Sequence, residues 1–317
     1  MLLTAVFTAV TICAAVNNLF KFVPRSSICI GYFNVEKLIK HPEVTKQLKK
    51  PEVENFIKQL NNTIGFSLQD IKDALIISDK DNKGGYYLLQ LKKPVDLKKL
   101  FEALNKNPQM QSSNLIGRYA VKNVNGKKVY LVTAIDKLGK TNKIEVTELA
   151  PGIILNAINT NYVSYTNEVK GINQELAKSI KKIPNSKLAW LVGKTPENPL
   201  QIKNITLSFD LIGPKLTTQH YICNLDFANA QEAVHVSKLL PMYFNMGLGI
   251  IFSADPTLGA QIAKCLKIKT INNQVSLTIT ISKNLFDEIL KYLNENQELL
   301  KNLIPRKSVL QTDSKGL

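Results

Sequence analysis

The sequence is poor in the side chains that most often carry specific chemistry. Of its 41 basic residues only three are arginine, and it has three histidines, four cysteines and one tryptophan. Phosphate recognition usually relies on the bidentate guanidinium fork of arginine. The scarcity of arginine therefore argues against a nucleic-acid reader, although the net charge is +16.

The lysine excess itself allows two interpretations. Lysine and asparagine are both abundant, which a nucleotide bias in the source genome would produce without any functional consequence. The alternative is electrostatic attraction to an anionic surface, such as that of a cell envelope. Nucleic-acid binding is the weakest option and predicts a strongly salt-dependent affinity.

Linear catalytic and metal-binding patterns are absent from the chain. It has no CxxC, no HExxH, no GxSxG, and no GxGxxG between a strand and a helix, so the usual zinc, redox, hydrolase and dinucleotide motifs are missing. Gly193-Lys194-Thr195 looks like the end of a phosphate-binding loop, but Leu188 stands where the first glycine is needed. We expect no catalytic residue, no bound metal and no cofactor.

Two of the histidines fall in the same half of the chain, His220 in a predicted strand and His235 in a predicted helix. Their convergence with an acid would make a hydrolase with a dispersed site. Most imidazoles in such positions simply hydrogen-bond to nearby groups, and we favour that interpretation.

The first 20 residues carry no charged side chain, and residues 2–16 are mostly apolar or small. This length is typical of a signal-peptide core and is short for a membrane span. We therefore predict that residues 1–20 are a signal peptide or N-terminal anchor and that the protein is periplasmic or secreted. The alternative is a buried N-terminal helix, which the threonines at 4, 8 and 11 disfavour.

A similar α+β pattern occurs twice along the chain. Residues 71–79 and 86–91 in the first half match residues 202–210 and 220–225 in the second. We predict an α+β protein of two tandem similar units, each a mainly antiparallel sheet with helices packed on one face. The predicted parts are a first unit at 25–165, a linker helix at 166–187, a second unit at 188–304 and a disordered tail at 305–317.

Strand residues 205–211 alternate apolar and polar side chains. This period of two is typical of a sheet with one buried and one wet face. It predicts that Leu207 and Phe209 point into a core and that Thr206 and Ser208 face water.

Removal of the leader would leave Cys29, Cys223 and Cys265. A Cys223–Cys265 disulfide is possible in an oxidising compartment, and we keep it as a hypothesis. Cys29 and Cys223 otherwise fit small core residues of strands.

The most apolar stretch after the leader runs from residue 242 to residue 252, after Pro241, which should break a preceding helix. Core packing is the favoured interpretation of this stretch. The alternative is one wall of an apolar groove, formed by Met242, Phe244, Met246, Ile250 and Phe252.

Residues 65–71, with the sequence Gly-Phe-Ser-Leu-Gln-Asp-Ile before a strand, belong to a layout of leader, duplicated units and lysine-rich tail. Over residues 28–293 this layout resembles uncharacterised secreted bacterial proteins with a duplicated α+β unit. That group has no assigned catalytic residues, so the resemblance implies an exported protein and no particular site.

The leading hypothesis is a non-catalytic exported protein that acts as a binding or scaffolding module at the cell envelope. The first alternative is an envelope carrier of lipid or another hydrophobic ligand, and the second is the dispersed hydrolase. The partners that these hypotheses imply are an anionic envelope surface or an apolar ligand.

Overall fold

The computed structural model describes residues 19–51, 53–55, 57–58, 67–78, 85–106, 119–135, 141–168, 171–184, 187–195, 198, 200–212 and 217–296. Nearly all of the predicted leader and the whole predicted tail at 305–317 lie outside the described residues. The expectations for these two segments therefore stay predictions.

The strands within the described residues form one antiparallel sheet. They are β1 Cys29–Asn34, β2 Ile71–Ser78, β3 Gly85–Leu91, β4 Ala120–Val124, β5 Lys127–Ile135, β6 Thr141–Ala150, β7 Ile153–Ile158, β8 Ala189–Lys194, β9 Ile202–Ile212, β10 Thr218–Phe227, β11 Leu266–Ile271 and β12 Gln274–Ile281. Their order across the sheet is β11-β12-β10-β9-β8-β1-β2-β3-β7-β6-β5-β4. The prediction of an α+β protein with a mainly antiparallel sheet is confirmed, and pairing of β1 with β8 makes the sheet continuous across both halves.

Most of the helices are short, and the longest is α6 with 22 residues. They are α1 Val35–Lys40, α2 Pro42–Leu48, α3 Leu97–Lys106, α4 Tyr162–Glu168, α5 Gln174–Lys181, α6 Ala230–Ile251, α7 Pro256–Lys264 and α8 Lys283–Glu295. The last three begin at side-chain caps, because Asn229, Asp255 and Ser282 each accept a hydrogen bond from a backbone N–H of the first turn.

Local turn chemistry fixes the hairpin between β4 and β5. Asn125 and Gly126 both have positive φ, 49° and 76°, as a two-residue hairpin turn requires. Strands β4 and β5 pair directly on either side of this turn.

Helices cover both faces of the sheet, whereas one face was expected. On the first face, defined here as the side of Ile30, the register aligns Ile77 on β2 and Val192 on β8. This core is closed by Leu19 and Val23 from the N-terminal segment, by Tyr162 and Tyr165 of α4, and by Leu176 of α5. The segment expected as a linker helix thus belongs to a core.

The second face, the side of Phe33, is covered in two separate places. Over one half of the sheet, Leu97, Leu100 and Phe101 of α3 pack on β5, β6 and β7. Over the other half, Ala233 and Val236 of α6 pack on β10 and β12.

Helix α6 continues through Pro241, contrary to the expected break. Proline removes one intrahelical hydrogen bond but does not prevent a helix whose flanking turns are packed. Here Leu240 packs on the sheet cluster, and Phe244, one turn later, packs on the helices α7 and α8. Pro241 therefore lies where α6 leaves the sheet.

Candidate functional site

Part of the second face forms an open apolar trough of about 420 Å³. It is lined by side chains of β1, β8, β9, β10 and β12, and we call it the sheet trough, defined by Phe33, Leu191, Leu207, Phe209, Tyr221 and Ile279. Leu207 lies directly opposite Leu191 in the register, and these two side chains are 44% and 38% exposed.

The strand alternation predicted the opposite arrangement for β9. Thr206 and Ser208 are buried on the first face, while Leu207 is exposed on the second. The reason is that α5 packs over β8 and β9 on the first face and so covers Thr206 and Ser208. The wet face of this strand is therefore its apolar one.

The chemistry of the sheet trough is almost purely that of hydrocarbon. The backbone groups of its strands are paired in the ladders of the sheet. The Tyr221 hydroxyl donates to Gln219 Oε1, and the Phe209 and Tyr221 ring centroids lie 5.1 Å apart. Burial raises the pKa of the Cys223 thiol to about 11, which keeps it uncharged at neutral pH. The trough thus offers contact area without charge.

The second half of α6 packs with α7 and α8 into a three-helix unit, which we call the helical outcrop. Its buried cluster, formed by Leu248, Phe252, Leu258, Ile262 and Tyr292, includes side chains from these helices alone. Gly259 permits the close approach of α7, since a Cβ at this position would lie 3.3 Å from Phe252 Cβ.

The five residues proposed as a groove wall point in different directions. Phe252 is buried and Phe244 half-buried inside the helical outcrop. Met242, Met246 and Ile250 are exposed on its outside. The five residues therefore do not form one wall, and none of them lines the sheet trough.

The exposed members of this set extend to a larger surface. With Tyr243 and Ile251 they form an apolar ridge along the second half of α6, each side chain between 37% and 56% exposed. Within the part of the chain described here, none of the helices is long and apolar enough to cross a membrane.

The two candidate histidines do not converge. His220 lies on the first face, where its Nδ1 is 3.1 Å from Thr280 Oγ1, and burial lowers the pKa of its imidazole. His235 is exposed on α6, which covers the second face. Among the described residues no group of three or more histidine, cysteine or acidic side chains could hold a metal ion.

Among the described residues the most deeply buried acid is Asp73 on β2, which belongs to no catalytic or metal-binding motif. Its carboxylate accepts a hydrogen bond of 2.6 Å from the Tyr32 hydroxyl, and burial raises the pKa of the Asp73 carboxyl. Tyr32 in turn stacks on Trp190, with ring centroids 5.4 Å apart. Asp73 lies inside the core of the first face, so this pair is part of the packing.

A second depression of about 560 Å³ lies beside α1 and α2 and is bordered by lysines. Lys40 contacts Glu36 at 2.8 Å, and Lys58 contacts Glu54 at 2.9 Å. Lys92, which also lines the depression, lies 3.3 Å from Glu36 Oε1, so Lys40, Lys58 and Lys92 are all paired with acids.

The three cysteines of the described chain are free thiols. Cys223 lies at the sheet trough, and Cys265 ends α7, where its thiol contacts the Gln261 carbonyl. The hypothesised Cys223–Cys265 disulfide is not present in this structure.

No family model and no curated protein matches the chain. Among solved structures, crystal form III of TP0453 superposes with a TM-score of 0.49 at 11% identity, covering 86% of this chain and 96% of that one. Crystal form I gives 0.45 at 12% identity, with 86% and 96% covered, and form IV gives 0.47 at 11%, with 85% and 95% covered. These likenesses are too distant to assign a family or a function.

Proposed function

We propose that this protein is a non-catalytic binding protein of the cell envelope and that its ligand is a hydrocarbon chain held in the sheet trough. The supporting observation is the trough itself, an exposed concave surface whose lining residues are uncharged. Its volume of about 420 Å³ is within the range of small-molecule sites. An acyl chain of an envelope lipid has the matching chemistry.

The openness of the trough sets the expected affinity. Burial of one methylene contributes about 0.8 kcal/mol, so a chain of about ten methylenes that is half covered gains roughly 4 kcal/mol. Full coverage would give about 8 kcal/mol, and because association itself costs free energy, these gains set upper limits on the affinity of roughly 1 mM for half coverage and roughly 1 μM for full coverage. Such moderate binding suits a carrier that must also release its ligand.

The envelope location and the duplication belong to the same proposal. The apolar first 20 residues support export. The strand order supports duplication, because β1, β2 and β3 are neighbours in the sheet, as are β8, β9 and β10, and β1 lies beside β8 at the junction. Each triplet is followed by a helix on the second face.

Ligand binding can be measured by fluorescence titration with cis-parinaric acid and by competition with palmitate. The variant Leu207→Thr should weaken both, since it places a hydroxyl on the exposed trough surface. The matched control is Val121→Thr on β4, a strand residue of similar exposure (49%) outside the trough. No saturable binding by the wild-type protein, or equal affinities of the two variants, would refute the proposal.

A further inference from the structure

The apolar ridge on α6 is unusual for a surface helix. Residues 239–254 contain no charged side chain, so this half of the helix is apolar around most of its circumference. Helices of this kind are normally buried. Here only one side is buried against α7 and α8, and Met242, Tyr243 and Met246 face outward.

The size of the ridge limits what can cover it. With about 200 Å² for each fully exposed side chain of this size, the five exposed fractions amount to roughly 500 Å². Apolar patches of this size on a monomer are often functional. A stable dimer buries about 800 Å² on each partner, so the ridge is small for a second copy of this chain.

The net charge of the protein also argues against a second copy of this chain as the partner. The chain carries +16, which opposes association of two copies and favours an anionic surface. Between Glu232 and Asp255 there is no acidic residue, and the exposed Lys238 lies on α6 about one turn before Met242. Lysines beside an exposed apolar helix face are typical of helices that lie on anionic membranes.

We propose that the ridge docks onto an anionic lipid bilayer, with the second half of α6 lying in the interface. Met242, Met246 and Ile250 would enter the acyl region, and the amphipathic ring of Tyr243 would lie at the headgroup level. The outcrop is suited to this because its buried cluster contains no strand residue, so α6, α7 and α8 support the ridge among themselves.

The test is co-sedimentation of the full chain with vesicles of phosphatidylglycerol and phosphatidylcholine in equal parts, compared with phosphatidylcholine alone. The wild-type protein should bind the anionic vesicles at least tenfold more strongly. Met246→Glu and Ile250→Glu should each weaken this binding at least tenfold, because each places a carboxylate where acyl chains must be. The matched control is Val234→Glu, 45% exposed on the first half of the same helix, which should change binding less than twofold.

Two results would overturn the proposal. One is vesicle binding by Met246→Glu equal to that of the Val234→Glu control, with thermal melting showing that both variants are folded. The other is a wild-type dimer in light scattering that the ridge variants abolish, without vesicle binding, because the ridge would then be an interface between copies. The outcome is independent of the sheet trough, since Leu207→Thr should leave vesicle binding unchanged and the ridge variants should still bind cis-parinaric acid.

Discussion

Leu207→Thr should reduce the affinity for a hydrocarbon chain at least thirtyfold while leaving the sheet intact. Leu207 is 44% exposed at the trough, and a bound chain would cover that exposed part. Loss of its methyl groups removes about 1 kcal/mol of apolar contact. Covering an unpaired hydroxyl adds about 1–3 kcal/mol, so the total is about 2 kcal/mol or more.

Threonine is chosen because it favours strands, so β9 should keep its pairing with β8 and β10. Affinity is read from titration with cis-parinaric acid, and folding from urea denaturation of the same samples. Val121→Thr has the same new hydroxyl on a different strand and should bind like the wild type. A thirtyfold loss in both variants, or in neither, would show that the ligand lies elsewhere.

Three further predictions concern the core, the helical outcrop and the thiols. Burial raises the pKa of Asp73 above its unfolded value, so its contribution to stability is present below the unfolded pKa and is lost as pH rises through the folded pKa. Urea denaturation should therefore show Asp73→Asn gaining stability relative to the wild type as the pH rises above the ordinary pKa of an aspartate, and a pH-independent difference would contradict this. Gly259→Val should lower the unfolding free energy by about 1–3 kcal/mol through overpacking against Phe252, whereas Gly249→Val, with no neighbour within 4 Å, should not lower it; equal effects in thermal melts would refute the packing argument. Because burial raises the pKa of Cys223 to about 11, its alkylation should be slow at about pH 8. Palmitate should slow it further, and mass spectrometry should show Cys265 unaffected by the ligand; equal protection of both thiols would contradict ligand binding in the trough.

Local features of the fold were predictable because their causes are local. Asn125-Gly126 fixes a hairpin turn through its own backbone preferences, and the caps Asn229 and Asp255 start helices through side-chain acceptors. The pairing of β1 with β8 has no local signal, because it joins strands that lie far apart in the sequence. One continuous sheet in place of two therefore could not be predicted from either half.

The sheet trough could not be predicted either, because its exposure depends on tertiary packing. Alternation along β9 separates Leu207 from Thr206 and Ser208 but does not say which face a helix will cover. Apolar side chains were assigned to the interior, yet α5 covers the polar side. Part of the ridge was predicted, because Met246 and Ile250 belong to the apolar stretch at residues 242–252. Their exposure depends on where α6 leaves the sheet, which is a matter of tertiary packing.

Helix α6 links the two surfaces, since its first half packs on the second face of the sheet and its second half carries the apolar ridge. If both proposals hold, docking brings the trough close to a bilayer, and ligand could pass between them without crossing water. The ridge should then affect the rate of transfer more than the equilibrium affinity. We expect Ile250→Glu to slow the transfer of a fluorescent fatty acid from anionic vesicles at least tenfold, while its titration in solution matches the wild type. Stopped-flow fluorescence measures the first quantity, and Val234→Glu serves as the control. Unchanged transfer by a variant that no longer binds vesicles would mean that ligand reaches the trough through water and that the two surfaces act separately.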